Sequence, residues 1–209
     1  MNYVAKLIFS LIEKSATELI HDRQAYIYGI SQFLYTVFST ILLLCIGGCF
    51  KRGWETSIAI STFYLNQSHG GGYHASTRVR CVTTMSIGIM ILLILISVGS
   101  TTGICIAIFV CGALILCRYP LVLHVNKSFL HNQFPRLRKK SLLIVSFEIL
   151  LFFVLIIVKH ANLICNYSLM TKYMDLIYSY SLAVLFSAIS RLAAIKIRKE
   201  SYSYPHNQQ

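Results

Sequence analysis

Charged side chains are scarce in this sequence. Only 12% of its 209 residues are Asp, Glu, Lys or Arg, whereas soluble domains usually carry about twice that share. Acidic residues number only seven, while 56% of the residues are hydrophobic. The shortage of charge excludes an ordinary soluble domain. It also disfavours a transporter that relays ions along a chain of intramembrane acids.

Runs of apolar residues take the place of the missing charge, and several approach the roughly 20 residues that a helix needs to cross a bilayer. We place six runs near residues 25–47, 54–66, 81–98, 102–118, 142–158 and 173–191. The second run is short for a full crossing. The sequence therefore predicts an all-α, polytopic membrane protein. We expect one domain, residues 1–209, with about six transmembrane or membrane-embedded helices.

The first 22 residues lack an uninterrupted apolar core and a small-residue cleavage site, which excludes a secretory signal peptide. Their apolar residues recur at helical spacing and leave the charged residues on the other side. We therefore predict an amphipathic helix over residues 1–22 that lies in the membrane interface.

Metal-binding patterns are lacking as well. The seven cysteines include no CxxC pair, and His69, His74 and Cys81 do not have the spacing of a known zinc site. The sequence thus predicts neither a metal nor a cofactor. The cysteines of the apolar runs are expected to be buried thiols, since free Cys packs like a small hydrophobic residue. They are Cys45, Cys49, Cys105, Cys111 and Cys117.

Basic residues outnumber acidic ones, and the net charge is +12. They cluster at the ends of apolar runs, which indicates membrane orientation and a lipid partner rather than nucleic-acid binding. With a cytoplasmic N-terminus and alternating runs, all but four of the 19 basic residues fall on the cytoplasmic side. The exceptions are Lys51, Arg52, Lys159 and Lys172. Both termini, residues 67–81 and a basic loop over 119–141 are then cytoplasmic.

The polar stretch over residues 67–81 contains the sequence GGGYHASTRVRC, from Gly70 to Cys81. It lacks the spacing and the Lys-Ser/Thr pair of a phosphate-binding P-loop. A cysteine–histidine hydrolytic centre fits these residues, because an imidazole can take the proton of a thiol that is only about 3% ionised at pH 7. Arg78 and Arg80 would favour the thiolate. A flexible hinge with an incidental histidine fits equally well.

The spacing of His74 and Cys81 places a condition on the catalytic interpretation. On one straight helix these residues would be roughly 10 Å apart along the axis, whereas a nucleophile–base hydrogen bond spans about 3 Å. We therefore expect the helix to break between residues 70 and 76, since glycine adopts backbone angles that are closed to other residues. The expected loop glycines and the N-cap of the next helix are Gly70, Gly71, Gly72 and Ser76.

The stretch GGYHASTRVRC resembles the histidine and cysteine motif of the accessory gene regulator protein B (AgrB) family, the bacterial membrane peptidases that process quorum-sensing pro-peptides. A second stretch, Arg118 to Ser141, resembles the same family. Its matching residues are Pro120, His124, Asn126, Lys127 and the basic run 136–140. Many members carry an Arg shortly before the glycine pair, where this sequence has LNQSHG.

The resemblance implies that Cys81 is the nucleophile and His74 its general base, in the cell membrane of a bacterium. In the family, the cysteine cleaves a pro-peptide, releases its acidic C-terminal tail and holds the rest as a thioester. A Cys or Ser of the peptide then closes a thiolactone or lactone ring. Expected partners are a pro-peptide with an acidic tail and a second copy of the chain in a homodimer. Candidate substrate-binding residues are Arg78, Arg80, His124, Lys127, Arg136 and Arg138.

A third catalytic group does not stand out among the acids. Glu148 lies inside an apolar run, where acidic residues are functional candidates. The simpler interpretation makes it the partner of an Arg or Lys in the adjacent basic loop. The alternative to a peptidase is a non-enzymatic peptide transporter or export module with the same six-segment layout.

Overall fold

The computed structural model of the protein describes residues 6–10, 23–73, 77–122, 134–161 and 167–203. Residues 6–10 are helical, and no strand occurs anywhere in these ranges. The longer helices are α1 (Arg23–Cys49), α2 (Gly53–Gly70), α3 (Arg78–Val98), α4 (Thr102–Arg118), α5 (Phe134–His160) and α6 (Tyr167–Ser203). The prediction of an all-α protein is confirmed. Most of the amphipathic helix predicted over residues 1–22 lies outside the described residues.

Each of the six predicted apolar runs corresponds to one helix. Helix α4 has the predicted bounds, and the other five helices extend further at one or both ends. The extension of α6 to Ser203 is the longest, and α5 begins at Phe134, well before its apolar run. The predicted basic loop over 119–141 is therefore wrong from residue 134 onward, because the run 136–140 forms the first turns of a helix. Lys and Arg are good helix formers, and their long side chains keep the charge in water beyond an apolar stem.

Helix α2 runs parallel to α6. Arg52, the residue just before α2, donates a hydrogen bond of 2.6 Å to Asp175 near the start of α6. Gln67, in the last turn of α2, donates one of 2.6 Å to Ser190 near the other end of α6. Helix α1 packs against α2 and is joined to it by the turn at residues 50–52.

Helix α4 is also parallel to α6. Gly112 of α4 lies directly against the backbone of Leu185, so closely that a Cβ atom at position 112 would be 3.0 Å from the Leu185 Cα and N atoms. Further along the chain, Pro120 lies beside Arg191, whose guanidinium donates to the Pro120 carbonyl at 3.0 Å. The contact between α4 and α6 is among the most extensive in the bundle.

Helix α5 runs in the opposite direction to α6. The Tyr180 hydroxyl donates to the Glu148 carbonyl at 3.2 Å, and the Tyr173 hydroxyl donates to the Leu155 carbonyl at 3.0 Å. Helix α3 is joined to α4 through only residues 99–101 and therefore runs opposite to it. Because α2, α4 and α6 are parallel and α1, α3 and α5 run the other way, the helix directions alternate along the chain.

The alternation brings the C-terminal ends of α2, α4 and α6 to the same side of the bundle as the N-terminal ends of α3 and α5. We call this side the motif end. It comprises residues 67–73, 77–81, 119–122, 134–140 and 190–197. The polar stretch and the described parts of the second family-like stretch therefore lie at one end of the molecule.

Four helices among the described residues are long and apolar enough to cross a membrane. They span Tyr26–Cys49, Val79–Val98, Pro135–His160 and Leu169–Ile197. Helix α4 is a shorter apolar helix, and α2 does not meet the criterion. Length and composition thus identify four candidate spans, fewer than the predicted six.

Helix α2 occupies the interior of the bundle, where it packs most extensively against α6. Its buried side chains include Glu55, Thr56, Thr62 and Asn66. The outer helices instead expose large apolar side chains, as a lipid-facing surface requires. Helix α2 exposes only Trp54 and Leu65 among its large apolar side chains, and this smaller apolar surface explains why its apolar run is short.

The cysteines of the apolar runs correct another expectation. Only Cys105 is buried, whereas Cys45, Cys49, Cys111 and Cys117 are exposed. Apolar residues of a membrane protein cover its outside as well as its interior, so an apolar neighbourhood does not indicate burial. The prediction of buried thiols was wrong for these four.

Arg52 is neutralised at the end of the bundle opposite the motif end. Its Nη1 atom lies 2.6 Å from the Asp175 carboxylate and 3.6 Å from that of Glu55. Arg52 is one of the four basic residues that did not fit the charge asymmetry. Because two carboxylates balance its charge, it adds little net positive charge to this end.

Candidate active site

The helix break expected before Cys81 is present. Helix α2 ends at Gly70, and residues 71–73 are not helical. Gly71 has φ 70° and ψ −176°, a backbone region that is essentially restricted to glycine. A side chain at Gly71 would also overlap the carbonyl oxygen of Val122. Gly71 is thus required both by its own dihedral angles and by the chain that passes beside it.

The two neighbouring glycines fit their positions for a different reason from the one expected. Neither has a positive φ, but both lie too close to other groups for a Cβ atom. A Cβ at Gly70 would overlap the guanidinium of Arg191, and one at Gly72 would be 2.5 Å from the Gln67 side-chain oxygen. Close approach, rather than unusual backbone angles, explains Gly70 and Gly72.

Hydrogen bonds attach this glycine corner to two other segments. The Val122 amide donates to the Gly70 carbonyl at 2.9 Å, which ties the corner to the chain beyond α4. The Tyr73 amide lies 3.1 Å from both the carbonyl and the hydroxyl oxygen of Ser190 in α6. Gln67 donates to the same hydroxyl. The chain leading to His74 therefore starts from a fixed point.

Cys81 lies at the start of the next helix. Thr77 is the N-cap of α3, and its hydroxyl accepts from the Arg80 amide at 3.3 Å. The Cys81 amide donates to the Thr77 carbonyl at 3.1 Å, which places Cys81 in the first turn. Its side chain is exposed. The predicted cap, Ser76, was one residue too early and lies outside the described residues.

The remaining predicted site residues are only partly described. His74, His124 and Lys127 lie outside the described residues. Arg78 is the first residue of α3, and Arg80 is exposed two residues later. Arg136 and Arg138 are exposed on the first turns of α5. The predicted site residues that the structure describes all lie at the motif end. In the part of the chain that the structure describes, however, α5 does not contact α3 directly.

A buried polar cluster behind the glycine corner was not predicted. Glu148 of α5 accepts a hydrogen bond of 2.7 Å from the side-chain amide of Asn66 in α2. Arg191 of α6 donates to the backbone carbonyl of the same Asn66 at 3.2 Å and interacts electrostatically with Glu148. The partners of Glu148 thus come from α2 and α6, and not from the basic run next to it in sequence.

Five buried side-chain atoms of the described residues have no hydrogen-bond partner, and three of them belong to Asn66, Glu148 and Arg191 of this cluster. They are Asn66 Oδ1, Gln67 Oε1, Ser141 Oγ, Glu148 Oε2 and Arg191 Nε. A buried polar atom without a partner costs about 1–3 kcal/mol. The only sequence signal for the cluster was the presence of Glu148 and Arg191 within apolar runs.

No group of three or more His, Cys, Asp or Glu side chains that could hold a metal ion occurs among the described residues. His69, one of the ligands considered, has its Nδ1 atom 2.7 Å from the Ser68 hydroxyl and 3.3 Å from the Leu65 carbonyl. This imidazole makes its contacts within the last turns of α2.

Comparison with known proteins adds the decisive observation. The sequence model of the family described as accessory gene regulator B matches residues 3–190. The chain belongs to the accessory gene regulator B family. No match was found among curated proteins or among solved structures. Membership in the AgrB family and the four apolar helices together indicate a membrane protein with a role in peptide processing.

The glycine corner yields a test with matched controls. Gly71→Ala should lower the free energy of unfolding by at least about 1–3 kcal/mol, the usual cost of a strained backbone, because the new Cβ also meets the Val122 carbonyl. Gly99→Ala introduces a similar strain, at φ 82°, in open space and should cost less. Gly88→Ala, inside α3 with open space around it, should stabilise by up to about 1 kcal/mol.

Thermal denaturation in detergent micelles measures this order. If the Gly71→Ala variant proved as stable as the Gly99→Ala variant, the predicted overlap of a side chain at position 71 with the Val122 carbonyl would be contradicted.

Proposed function

We propose that this AgrB-family protein is a membrane-embedded cysteine endopeptidase that cleaves a pro-peptide and allows it to cyclise to a thiolactone or lactone autoinducing peptide. The observation that carries the proposal is the position of the histidine–cysteine motif. It falls on the break between α2 and α3, and its cysteine is exposed in the first turn of α3. A nucleophile–base hydrogen bond between His74 and Cys81 requires a helix break of this kind.

The proposed reaction proceeds in two stages. His74 takes the proton of the Cys81 thiol, and the thiolate attacks the carbonyl carbon of the scissile peptide bond. As the C–N bond breaks, the imidazolium returns its proton to the leaving amine, which departs with the acidic tail. The rest of the peptide stays bound to Cys81 as a thioester.

The second stage closes the ring. A Cys or Ser side chain of the peptide loses its proton to His74 and attacks the thioester carbonyl. The carbon–sulfur bond to Cys81 breaks, and the proton passes from His74 to the released thiolate. Because a thioester keeps the acyl group activated, ring closure needs no ATP. Water has to be kept away from the intermediate, which a site at the membrane face favours.

The start of α3 offers support for the developing charges. The N-terminal turn of a helix carries a partial positive charge and amide groups that lack a partner within the helix. A thiolate at Cys81 and an oxyanion on the attacked carbonyl would both lie near this turn. Preorganised donors of this kind stabilise acyl-transfer transition states.

The two catalytic assignments can be tested separately. Cys81→Ala should abolish processing of a co-expressed pro-peptide, because no acyl-enzyme can form. His74→Gln should slow formation of the acyl-enzyme by roughly 10²–10⁴-fold, the typical effect of removing a general base. Mass spectrometry of the enzyme–peptide adduct and of the cyclic product measures both.

Cys111→Ala is the matched control, since Cys111 is also an exposed cysteine in an apolar helix, and it should retain activity. Full processing by Cys81→Ala, or by Cys81→Ser as a non-enzymatic export module would allow, contradicts the proposal. So does inhibition by a chelator that zinc reverses.

We propose further that the motif end faces the cytoplasm of a bacterial cell, with both termini on that side. The charge distribution supports this orientation, since basic residues are concentrated at the motif end and Arg52 at the opposite end is neutralised. A cysteine introduced as Ser76→Cys, with the native cysteines replaced, should resist a membrane-impermeant thiol reagent in intact cells. It should react after the cells are opened. Labelling of intact cells from outside would show that the motif end has the opposite orientation.

Substrate binding at the basic start of α5 is the remaining part of the proposal. Arg136 and Arg138 are exposed at the motif end, and a guanidinium binds carboxylates through two parallel donors. Neutralising both with Gln should raise the KM for a pro-peptide with an acidic tail more than it lowers kcat. The wild-type rate at low substrate should fall with rising salt, because exposed charges are screened over about 8 Å at physiological ionic strength.

Lys172→Gln provides the control, since Lys172 is an exposed basic residue of α6 on the far side of the bundle. It should leave KM unchanged in reconstituted liposomes. An unchanged KM for the Arg136→Gln/Arg138→Gln variant would show that these charges serve orientation alone.

A further inference from the structure

Arg191 is the cation whose burial most needs an explanation. It is only 1% exposed, although it belongs to an α6 segment that is long and apolar enough to span a membrane. Burying a guanidinium in such surroundings is costly, and intramembrane charges that persist generally pair with backbone carbonyls or with other charges. The contacts of Arg191 therefore indicate what its burial achieves.

The guanidinium joins the ends of two helices. Its Nη2 atom donates to the Asn66 carbonyl in the last turns of α2, at 3.2 Å. Its Nη1 atom donates to carbonyls at the end of α4, at 3.1 Å to Tyr119 and 3.0 Å to Pro120. A helix C-terminus carries a partial negative charge and carbonyls that lack a partner within the helix. One cation thus bonds to the backbone near both of these ends at once.

Arg191 also lies directly against the glycine corner. Its guanidinium occupies the space that a side chain at Gly70 would need. The residue before it, Ser190, accepts from the Tyr73 amide, and Gly70 accepts from the Val122 amide. These two attachments of residues 70–73 therefore lie close to Arg191: Ser190 precedes it in the chain, and Val122 is two residues after Pro120, which Arg191 holds.

We propose that Arg191 is a positioning residue for the His74–Cys81 motif. By fixing α2 to the end of α4, it sets the position and direction in which the chain leaves Gly70 toward His74. It does not touch the substrate. This inference rests on the proposed cysteine peptidase function, because it assigns Arg191 a part in that activity.

Charge balance is the competing explanation. Arg191 interacts electrostatically with Glu148, and removing one member of a buried pair leaves the other charge uncompensated. Replacing both members by neutral residues is often tolerated. The two explanations therefore differ in what they expect of a double substitution.

The experiment compares Arg191→Met, Arg191→Lys and Glu148→Gln/Arg191→Met in the full chain, reconstituted in liposomes. Arg191→Lys keeps the charge, but a single ammonium cannot reproduce the planar fork that reaches Asn66 on one side and Pro120 on the other. Arg118→Met is the matched control, because Arg118 is exposed at the end of α4 beside Tyr119. Abundance, melting temperature, kcat and KM are measured for each variant with the co-expressed pro-peptide.

A substrate-free readout accompanies these measurements. With Cys81 as the sole cysteine, the rate of its alkylation by iodoacetamide is followed against pH in each folded variant. If Arg191 positions the motif, Arg191→Lys and the double variant should fold, yet show a kcat lower by about 10²-fold, the usual effect of a misplacement near 1 Å. Their alkylation profile should shift toward that of His74→Gln, while Arg118→Met behaves as wild type.

Wild-type kcat and an unchanged alkylation profile in Arg191→Lys would overturn the proposal, as would full activity of the double variant. If the double variant failed to accumulate, Arg191→Lys alone would decide. Cys81→Ala in the same assay separates the two levels of inference. Its loss of processing together with a fully active Arg191→Lys would reject the positioning role alone, whereas processing by Cys81→Ala would reject the peptidase itself.

Discussion

The structure depends on the satisfaction of helix ends away from water. Helices α2 and α4 both end at the motif end, next to the buried guanidinium of Arg191. The guanidinium donates to the Asn66 carbonyl of α2 and to the Tyr119 and Pro120 carbonyls just after α4, and so holds together two parallel helix ends whose partial charges repel. The corner at Gly70 then needs no side chain of its own to be held in place. A buried cation with carbonyl partners is thus the condition for the short connection between α2 and α3.

The two ends of the α2–α6 pair use different chemistry for the same purpose. At one end Arg52 pairs with the partly exposed carboxylate of Asp175, and at the other Arg191 is enclosed and bonded to backbone. An exposed pair contributes little to stability and responds to salt. An enclosed one is rigid because every displacement breaks several hydrogen bonds. The rigid end is the one that carries the histidine–cysteine motif.

Sequence patterns predicted the elements better than their relations. The six apolar runs predicted six helices because length and hydropathy report burial in a membrane, whatever surface a residue faces. The same property made the cysteine prediction wrong, since Cys111 and Cys105 have similar neighbours in sequence and opposite exposure. The break before Cys81 was predictable from helix geometry combined with the run of glycines and the requirement that His74 reach Cys81. The contact of Arg191 with Gly70 was not predictable, because the two residues are far apart in the chain. The sequence around either residue gives no indication of the other.

The overlap of Gly70 and the Arg191 guanidinium has a consequence for how the sequence can vary. The two positions share one volume, so a side chain at position 70 would displace the Arg191 guanidinium from its place against the backbone, unless residue 191 were shortened. We therefore expect positions 70 and 191 to covary among related chains, although they belong to different helices. Related chains that have lost the one should have lost the other, and would then need a different group to hold the ends of α2 and α4.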